Sequence, residues 1–289
     1  KRKNYALIHQ QFESSSNSVT LNFKTNYYKK KLSHITAFSL KSSDNLKMGA
    51  RRFHNYENWG REMTNKNEQL YTNYTKADFM HKSKYTITNK SSLLFGTQFS
   101  TTSNIYRFDK MNDTNSGNPK YENWYYGPQS RFFQNIIYKN NNKTHIFDDA
   151  IIIMALQNIE ESRHTQKSGD AFLNNRNEKV NVYDFNMHLN KKINRIKLAY
   201  GLGTRKQGVT STANISGNNF YTYNNTRYPD GGSRVVDLFL YSQANLLLTK
   251  KIDFLVGGRW NTSSLNAKYN SPNFYFENVK NSNNSFVKS

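Results

Sequence analysis

Tyr183-Asp184-Phe185-Asn186-Met187-His188-Leu189 alternates apolar and polar residues without a break, and Ile196-Lys197-Leu198-Ala199-Tyr200-Gly201-Leu202-Gly203 follows with apolar residues again at every second position. A side-chain period of two belongs to a β-strand with one apolar face. A two-residue loop at Lys192-Ile193 would pair Leu189 with Ile196 and Met187 with Leu198. Both apolar sets then share one face, as a half-buried hairpin requires. His188 would sit opposite Lys197 on the polar face.

The same reading extends outward. Val236, Leu238, Leu240, Leu246 and Leu248 share a face, with Asp237, Gln243 and Asn245 on the other. After Thr249-Lys251, Ile252, Phe254, Val256 and Trp260 continue the apolar face, opposite Asp253 and Arg259. Upstream, Val19, Leu21 and Phe23 alternate with Thr20, Asn22 and Lys24. Such a face suits either the core of a soluble sandwich or the lipid side of a membrane barrel, and the pattern alone does not separate them.

Length favours the barrel. The segments 90–104, 143–164 and 234–248 exceed the five or six residues usual in soluble strands, whereas membrane strands need about 9–11. Asp148 to Glu161 holds Ala-Ile-Ile-Ile-Met-Ala-Leu-Gln, which a buried helix could also use; its β-branched run reads as strand. Short turns are expected at Tyr28-Lys31, Thr88-Lys90, Asn140-Lys143, Lys191-Asn194 and Thr249-Lys251. Long polar stretches over 42–75, 105–128, 166–177 and 208–233 alternate with them. Short turns at one end and long loops at the other are the asymmetry of a closed membrane barrel. Pro119, Pro128, Pro229 and Pro272 all fall in or beside the long stretches, as ladder chemistry demands.

Composition agrees. Tyr and Phe number 20 and 19 in 289 residues, and the mean hydropathy is −0.88. No apolar run is long enough for a membrane helix, but alternating barrel strands average out as polar. The absence of cysteine excludes disulfides, thiolate metal sites and a cysteine nucleophile. A net charge of +21 raises the question of nucleic acid. Lysine is scattered rather than gathered on a recognisable motif, so no nucleic-acid partner is expected.

Glu122-Asn123-Trp124-Tyr125-Tyr126-Gly127-Pro128-Gln129-Ser130-Arg131 resembles a recurring segment of TonB-dependent outer-membrane receptors of Bacteroidetes-type bacteria. So does Gln157-Asn158-Ile159-Glu160-Glu161-Ser162-Arg163-His164. Leu46-Lys47-Met48-Gly49 and Arg227-Tyr228-Pro229-Asp230-Gly231 look like further pieces in the family's order. The similarity runs from about residue 18 to 262, and the combination is more specific than any one piece. The resemblance implies an antiparallel transmembrane β-barrel of 22 strands with a plugged lumen, of which about 11–12 strands lie here. It implies residues 1–289 as a partial barrel domain in the bacterial outer membrane, in contact with its lipid. The ligand would be a ferric siderophore, haem or a similar nutrient, and TonB would act through a missing N-terminal region. No plug domain, TonB box or terminal aromatic is found, so an internal piece of a longer protein is expected.

Ligand contacts in such a receptor come from loops and upper lumen. The candidates are Tyr56, Trp59, Arg61, Tyr106, Arg107, Trp124, Tyr125, Tyr126, Tyr221, Tyr223, Arg227 and Tyr228, because aromatic faces and guanidinium groups suit planar or anionic ligands. Loop packing and an aromatic girdle are the plainer role for each of them. The motif residues Trp124, Tyr126, Gly127, Pro128, Gln129, Arg131, Gln157, Glu160, Glu161, Arg163 and His164 are carried by the resemblance. In a strand Glu160, Ser162 and His164 share one face and Glu161 and Arg163 the other, which favours cross-strand ion pairing over metal or acid–base chemistry. His188 in a lumen would meet a plug. Gly201-Leu202-Gly203 opens no helix, and no nucleophile elbow or His-Glu-x-x-His occurs, so neither enzyme activity nor a cofactor is expected. A porin or adhesin barrel, or a soluble β-sandwich that binds glycans, remains the alternative.

Overall fold

The structure is a computed structural model that describes residues 4–49, 67–217, 220–249, 251–271 and 285–288. Tyr56, Trp59, Arg61 and Pro272 lie outside the described residues. In chain order the first elements are β1 (Tyr5–Glu13), β2 (Ser18–Lys29), β3 (Leu32–Ser43), β4 (Leu46–Lys47), β5 (Glu68–Gln69), β6 (Tyr74–Thr88), β7 (Ser91–Thr102) and β8 (Ile105–Tyr106). A one-turn helix α1 (Phe108–Met111), β9 (Thr114–Asn115), β10 (Asn118–Pro119), β11 (Tyr121–Tyr126), β12 (Ser130–Asn140) and β13 (Asp149–Lys167) follow. The last are β14 (Leu173–Ile193), β15 (Ile196–Gly217), β16 (Phe220–Tyr223), β17 (Ser233–Thr249), β18 (Ile252–Ala267) and β19 (Ser285–Lys288).

One antiparallel sheet runs β1-β2-β3-β6-β7-β12-β13-β14-β15-β17-β18-β19, so each long strand pairs with its neighbour in the chain. Asp148–Glu161, open to a helical reading, is strand from Asp149 onward. The hairpin that opened the analysis forms with a different turn. Asn194-Arg195 close it, Leu189 faces Tyr200 and Met187 faces Leu202. His188 faces Gly201, and Lys197 faces Lys192. The slip from the expected pairing is four residues on the β15 side. Because that is even, every side chain keeps its expected face.

The expected loops are shorter than their polarity suggested. β13 and β14 continue to Lys167 and from Leu173, and β15 continues to Gly217. Asn, Ser and Thr here pair in ladders: Asn175 Nδ2 donates to Asn214 Oδ1 at 2.8 Å and to Ser216 Oγ at 2.9 Å. The turn expected at Asn140-Lys143 is instead a connection over 141–148, stitched by the Phe147 N–H to Thr144 Oγ1 at 2.9 Å.

The apolar face is continuous across strands. The register aligns Leu32, Tyr85, Leu93, Tyr138, Ile152, Met187, Leu202, Leu240 and Trp260 in one rung. A second rung aligns Phe23, Phe38, Phe79, Phe99 and Phe132, and then turns polar at Asn158 and Asn181. The apolar stretch therefore slides along the strands, from Val19–Phe23 on β2 to Tyr183–Leu189 on β14. Strands tilted against a fixed slab, with staggered register, produce this slide. The other face is polar, with a rung of His9, Asn22, Ser39, Asp78, Ser100 and Arg131.

Among the described residues no second layer covers the apolar face. The buried apolar residues are Met111, Trp124, Ala150, Leu189 and Ala213, whereas Phe23, Phe38, Leu240, Phe254 and Trp260 are exposed. A soluble sandwich buries one face of each sheet against the other, so this sheet is not built as one. No helix among the described residues is long and apolar enough to cross a membrane.

Candidate functional site

The two motif segments around Trp124 and Glu160 meet because register brings them together. β11 pairs with β13, setting Tyr125 beside His164 and Tyr126 beside Arg163. β12 pairs with β13 lower down, and Arg131 Nε donates to Gln157 Oε1 at 2.8 Å. The chain passes from β11 to β12 through Gly127-Pro128-Gln129. The Gly127 N–H donates to Ser162 O at 3.1 Å, and a Cβ there would lie 2.1 Å from Ser162 Oγ and 2.9 Å from His164 Nε2. Glycine is the residue this close approach admits. The Gln129 N–H donates to Thr102 Oγ1 at 3.2 Å and ties the re-entry to β7.

Above this junction the 103–129 segment builds its own small core. β8 pairs with β11, and the Arg107 N–H donates to Trp124 O at 3.0 Å. Met111 is buried, and its Sδ takes the Trp124 N–H at 3.2 Å. The Arg107 guanidinium lies 4.9 Å over the Trp124 ring, and its Nε donates to Asp109 Oδ1 at 2.7 Å. That bond, with help from Tyr126, raises the Arg107 pKa, and the same bond lowers that of Asp109. Trp124 and Tyr126 pack edge to face at 5.1 Å.

Beside it runs an aromatic column. Tyr71 and Tyr106 lie 5.8 Å apart, Tyr106 and Tyr125 4.9 Å, and Tyr125 stacks on His164 at 4.7 Å. Burial raises the Tyr125 pKa, helped by the nearby Tyr106. Both His164 nitrogens are engaged, Nδ1 with Asn175 Oδ1 at 2.6 Å and Nε2 with Ser162 Oγ at 2.8 Å. Tyr71 was missed from sequence; it sits in a turn, in a left-handed conformation at φ 68°, with no alternation to mark it.

Tyr221 with Tyr223, and Arg227 with Tyr228, make two further pairs. Tyr221 and Tyr223 pack edge to face at 5.8 Å and are largely exposed. Arg227 reaches Glu161 at 3.7 Å and covers the Tyr228 ring at 5.7 Å. Glu160 pairs with Lys179 directly across the strands at 3.1 Å. His188 Nδ1 lies 2.8 Å from the Tyr241 hydroxyl on the polar face.

No protein-family model and no curated protein sequence matches the chain. Solved structures with similar folds include the copper transporter OprC, with a TM-score of 0.67, 7% identity, and coverage of 99% of this chain and 40% of that one. The FrpB iron transporter from Neisseria meningitidis gives 0.65, 11%, 92% and 42%. The ferric yersiniabactin uptake receptor FyuA from Yersinia pestis gives 0.60, 12%, 99% and 42%. The fold shared with them is that of an antiparallel β-barrel wall. The chain spans about two fifths of the length of these proteins.

In a wall of that fold the polar face lines the interior, and on this side one cavity collects cations. It has a volume of about 280 Å³ and is lined by Tyr121, Trp124, Arg163, Thr165, Lys167, Asn174 and Arg176. Arg163 and Arg176 face each other across β13 and β14. Glu178, buried next in line, accepts a hydrogen bond from Ser211 Oγ at 3.3 Å. Burial outweighs the neighbouring Arg227 and Arg163 and raises its pKa. Arg163, Lys167 and Arg176 thus present like charges toward one space, an arrangement that an anionic or planar ligand stabilises. Of the sequence candidates, Trp124 and Arg163 line it; Lys167 and Arg176 were missed because their polar surroundings read as loop.

Proposed function

We propose that this chain is a stretch of the barrel wall of a TonB-dependent receptor in a bacterial outer membrane, and that the protein takes up a scarce nutrient. The ligand is a ferric siderophore, haem or a similar complex, held by the cationic and aromatic groups at the loop end. The observation that carries this reading is the exposed apolar band, sliding along tilted strands on a sheet that has no covering layer among the described residues. On β14 it runs from Tyr183 to Leu189 and on to Ile193. At a barrel tilt such a stretch spans roughly 25 Å, the height of the outward apolar band in outer-membrane barrels. Lipid contacts that band, and the long strands from β2 to β17 are each paired on both sides through the backbone, as a hydrocarbon surround requires. The similar folds of FrpB and FyuA, an iron transporter and a ferric yersiniabactin receptor, support an iron complex as ligand. The remaining strands, the plug and the TonB contact belong to parts of the protein outside this chain. The Bacteroidetes type rests on the motif segments named above.

The test is growth of a deletion strain under iron starvation, with haem or a ferric siderophore as the iron source. Loss of growth on one source, restored by the gene only in cells with TonB, is expected. Undiminished growth on every source, with the protein recovered in the soluble fraction, overturns the reading.

A further inference from the structure

The two ends of the sheet differ sharply in charge. The β2–β3 hairpin closes on Lys29-Lys30-Lys31 and β14–β15 on Lys191-Lys192-Ile193-Asn194-Arg195, followed by Lys197. Lys90 and Lys143 add one cation each to the β6–β7 and β12–β13 connections, and Lys250-Lys251 add two to β17–β18. Against them stand Asp148, Asp149 and Asp253. Ion pairing is sparse here: among the described residues, one ion pair, Lys191 to Asp148 at 3.0 Å, lies at the turn end. The loop end holds Lys41–Glu13, Lys76–Asp78, Arg107–Asp109, Lys120–Asp113, Lys179–Glu160 and Arg227–Glu161. Lys30, Lys90, Lys143, Lys192, Arg195 and Lys251 are all exposed.

We infer that this basic rim binds the headgroups of anionic phospholipid, which rests on the membrane-barrel reading above. The charges begin at the edge of the apolar face: Lys29 stands opposite Leu32, and Lys191, opposite Leu198, lies between Leu189 and Ile193 on that face. Long basic side chains at that boundary bury their stems along apolar surface and lift their heads to the headgroup layer. The cations recur at successive hairpins instead of gathering on one side. An annulus of lipid touches every hairpin, whereas a protein partner touches a few. Basic groups near an anionic membrane surface are attracted to it, and salt screens the attraction.

The experiment uses the full-length protein in vesicles of equimolar phosphatidylglycerol and phosphatidylcholine. Spin-labelled lipids report which headgroup is enriched at the protein boundary. A preference for phosphatidylglycerol of about fivefold at low salt is expected, the equivalent of about 1 kcal/mol. It falls toward unity in a variant with Lys30→Asn and Gln at Lys90, Lys143, Lys192, Arg195 and Lys251. It persists in a control with Gln at Arg234 and Lys268, which lie beyond the apolar band at the other end. Insertion without headgroup preference, or a preference that survives the rim variant, overturns the inference and leaves the barrel reading standing. Preferential binding of polyglutamate to a rim that ignores headgroups assigns it to an acidic protein partner and overturns the inference too. Failure to insert in either lipid overturns both.

Discussion

At the turn end, β2 and β3 are joined by Lys30 and Lys31, and β14 and β15 by Asn194 and Arg195. At the loop end, β7 and β12 are joined by 103–129, which carries a helix, four short strands and the buried pair Met111 and Trp124. The turns contribute backbone closure and exposed charge. The long segment contributes packing of its own, with stacked rings, ion pairs and hydrogen bonds among side chains. Order at the loop end is therefore local and separable, while order at the turn end is inherited from the ladders.

Replacing Trp124 with alanine tests this separation most severely. The ring supports the Arg107 guanidinium and Tyr126, and truncating a buried tryptophan costs about 3–5 kcal/mol. Hydrogen exchange in the folded protein is expected to accelerate across 105–126 and to stay unchanged at Asn194-Arg195. Faster exchange at both ends would show that the loop core and the ladders open together, and the comparison would fail.

Gly201→Ala works from the shared wall. A Cβ at Gly201 would lie 2.2 Å from Met187 O and 2.8 Å from the Tyr241 ring, between strands that serve both ends. Overpacking of this kind costs about 1–3 kcal/mol. Urea unfolding should show the loss, with exchange raised on both sides of the substitution. An effect confined to one end would mean that the wall is not the common support.

The wall was the legible part of the sequence, because alternation at Tyr183–Leu189 and Val236–Leu248 reports directly on which residues share a face. The turn between Leu189 and Ile196 was placed too early, since Lys192-Ile193 and Asn194-Arg195 give the same faces. Only the left-handed residue, Asn194 at φ 52°, distinguishes them. The first residues of β14, 173–177, and the upper half of β15, 208–217, were read as loop because Asn, Ser and Thr are frequent there, and strand pairing rests on amide ladders without apolar alternation. The loop-end cluster was half legible. Trp124 and Arg163 stood out by type, but the cavity also needs Lys167 and Arg176, which only register brings into line.

Two carboxyls carry the comparison into pH. Asp148, in the turn-end connection, has its pKa lowered by the Lys192 N–H and then by the Lys191 ammonium, at 2.8 and 3.0 Å. A depressed carboxyl stabilises the fold above its ordinary value of 3.8, and that stability is lost as pH falls through the folded value. Asp148→Asn should therefore destabilise the protein at pH 7 and cease to matter in strong acid. Glu178, beyond the apolar band, has its pKa raised by burial, so the folded state favours its protonated form. Its contribution is best below the ordinary value of 4.5 and declines as pH rises through the folded value. Glu178→Gln should gain on the native protein as pH rises through the folded value, by about the amount the carboxylate loses there on burial. Thermal unfolding against pH checks both. The same sign for the two substitutions at neutral pH would break the contrast between an acid with a cation and an N–H to pair it and a buried one without.

The smallest effect is also the sharpest for the turn end. Lys30 holds φ 52°, a left-handed conformation that a side chain other than Asn or Gly occupies at a cost. Asn194 holds the same angle in the corresponding turn of β14–β15 without that penalty. Lys30→Asn should stabilise by about 0.5–1 kcal/mol, and Asn194→Lys should destabilise by about as much. Both are read from unfolding midpoints at high salt, where charge is screened. If Lys30→Asn is neutral there while Asn194→Lys still costs stability, the strain at Lys30 is offset within its own turn, for which the Lys31 Nζ bond to Ile87 O at 3.0 Å is the available contact. If both are neutral, backbone conformation does not govern these turns, and the basic residues in them are free to serve the membrane surface alone.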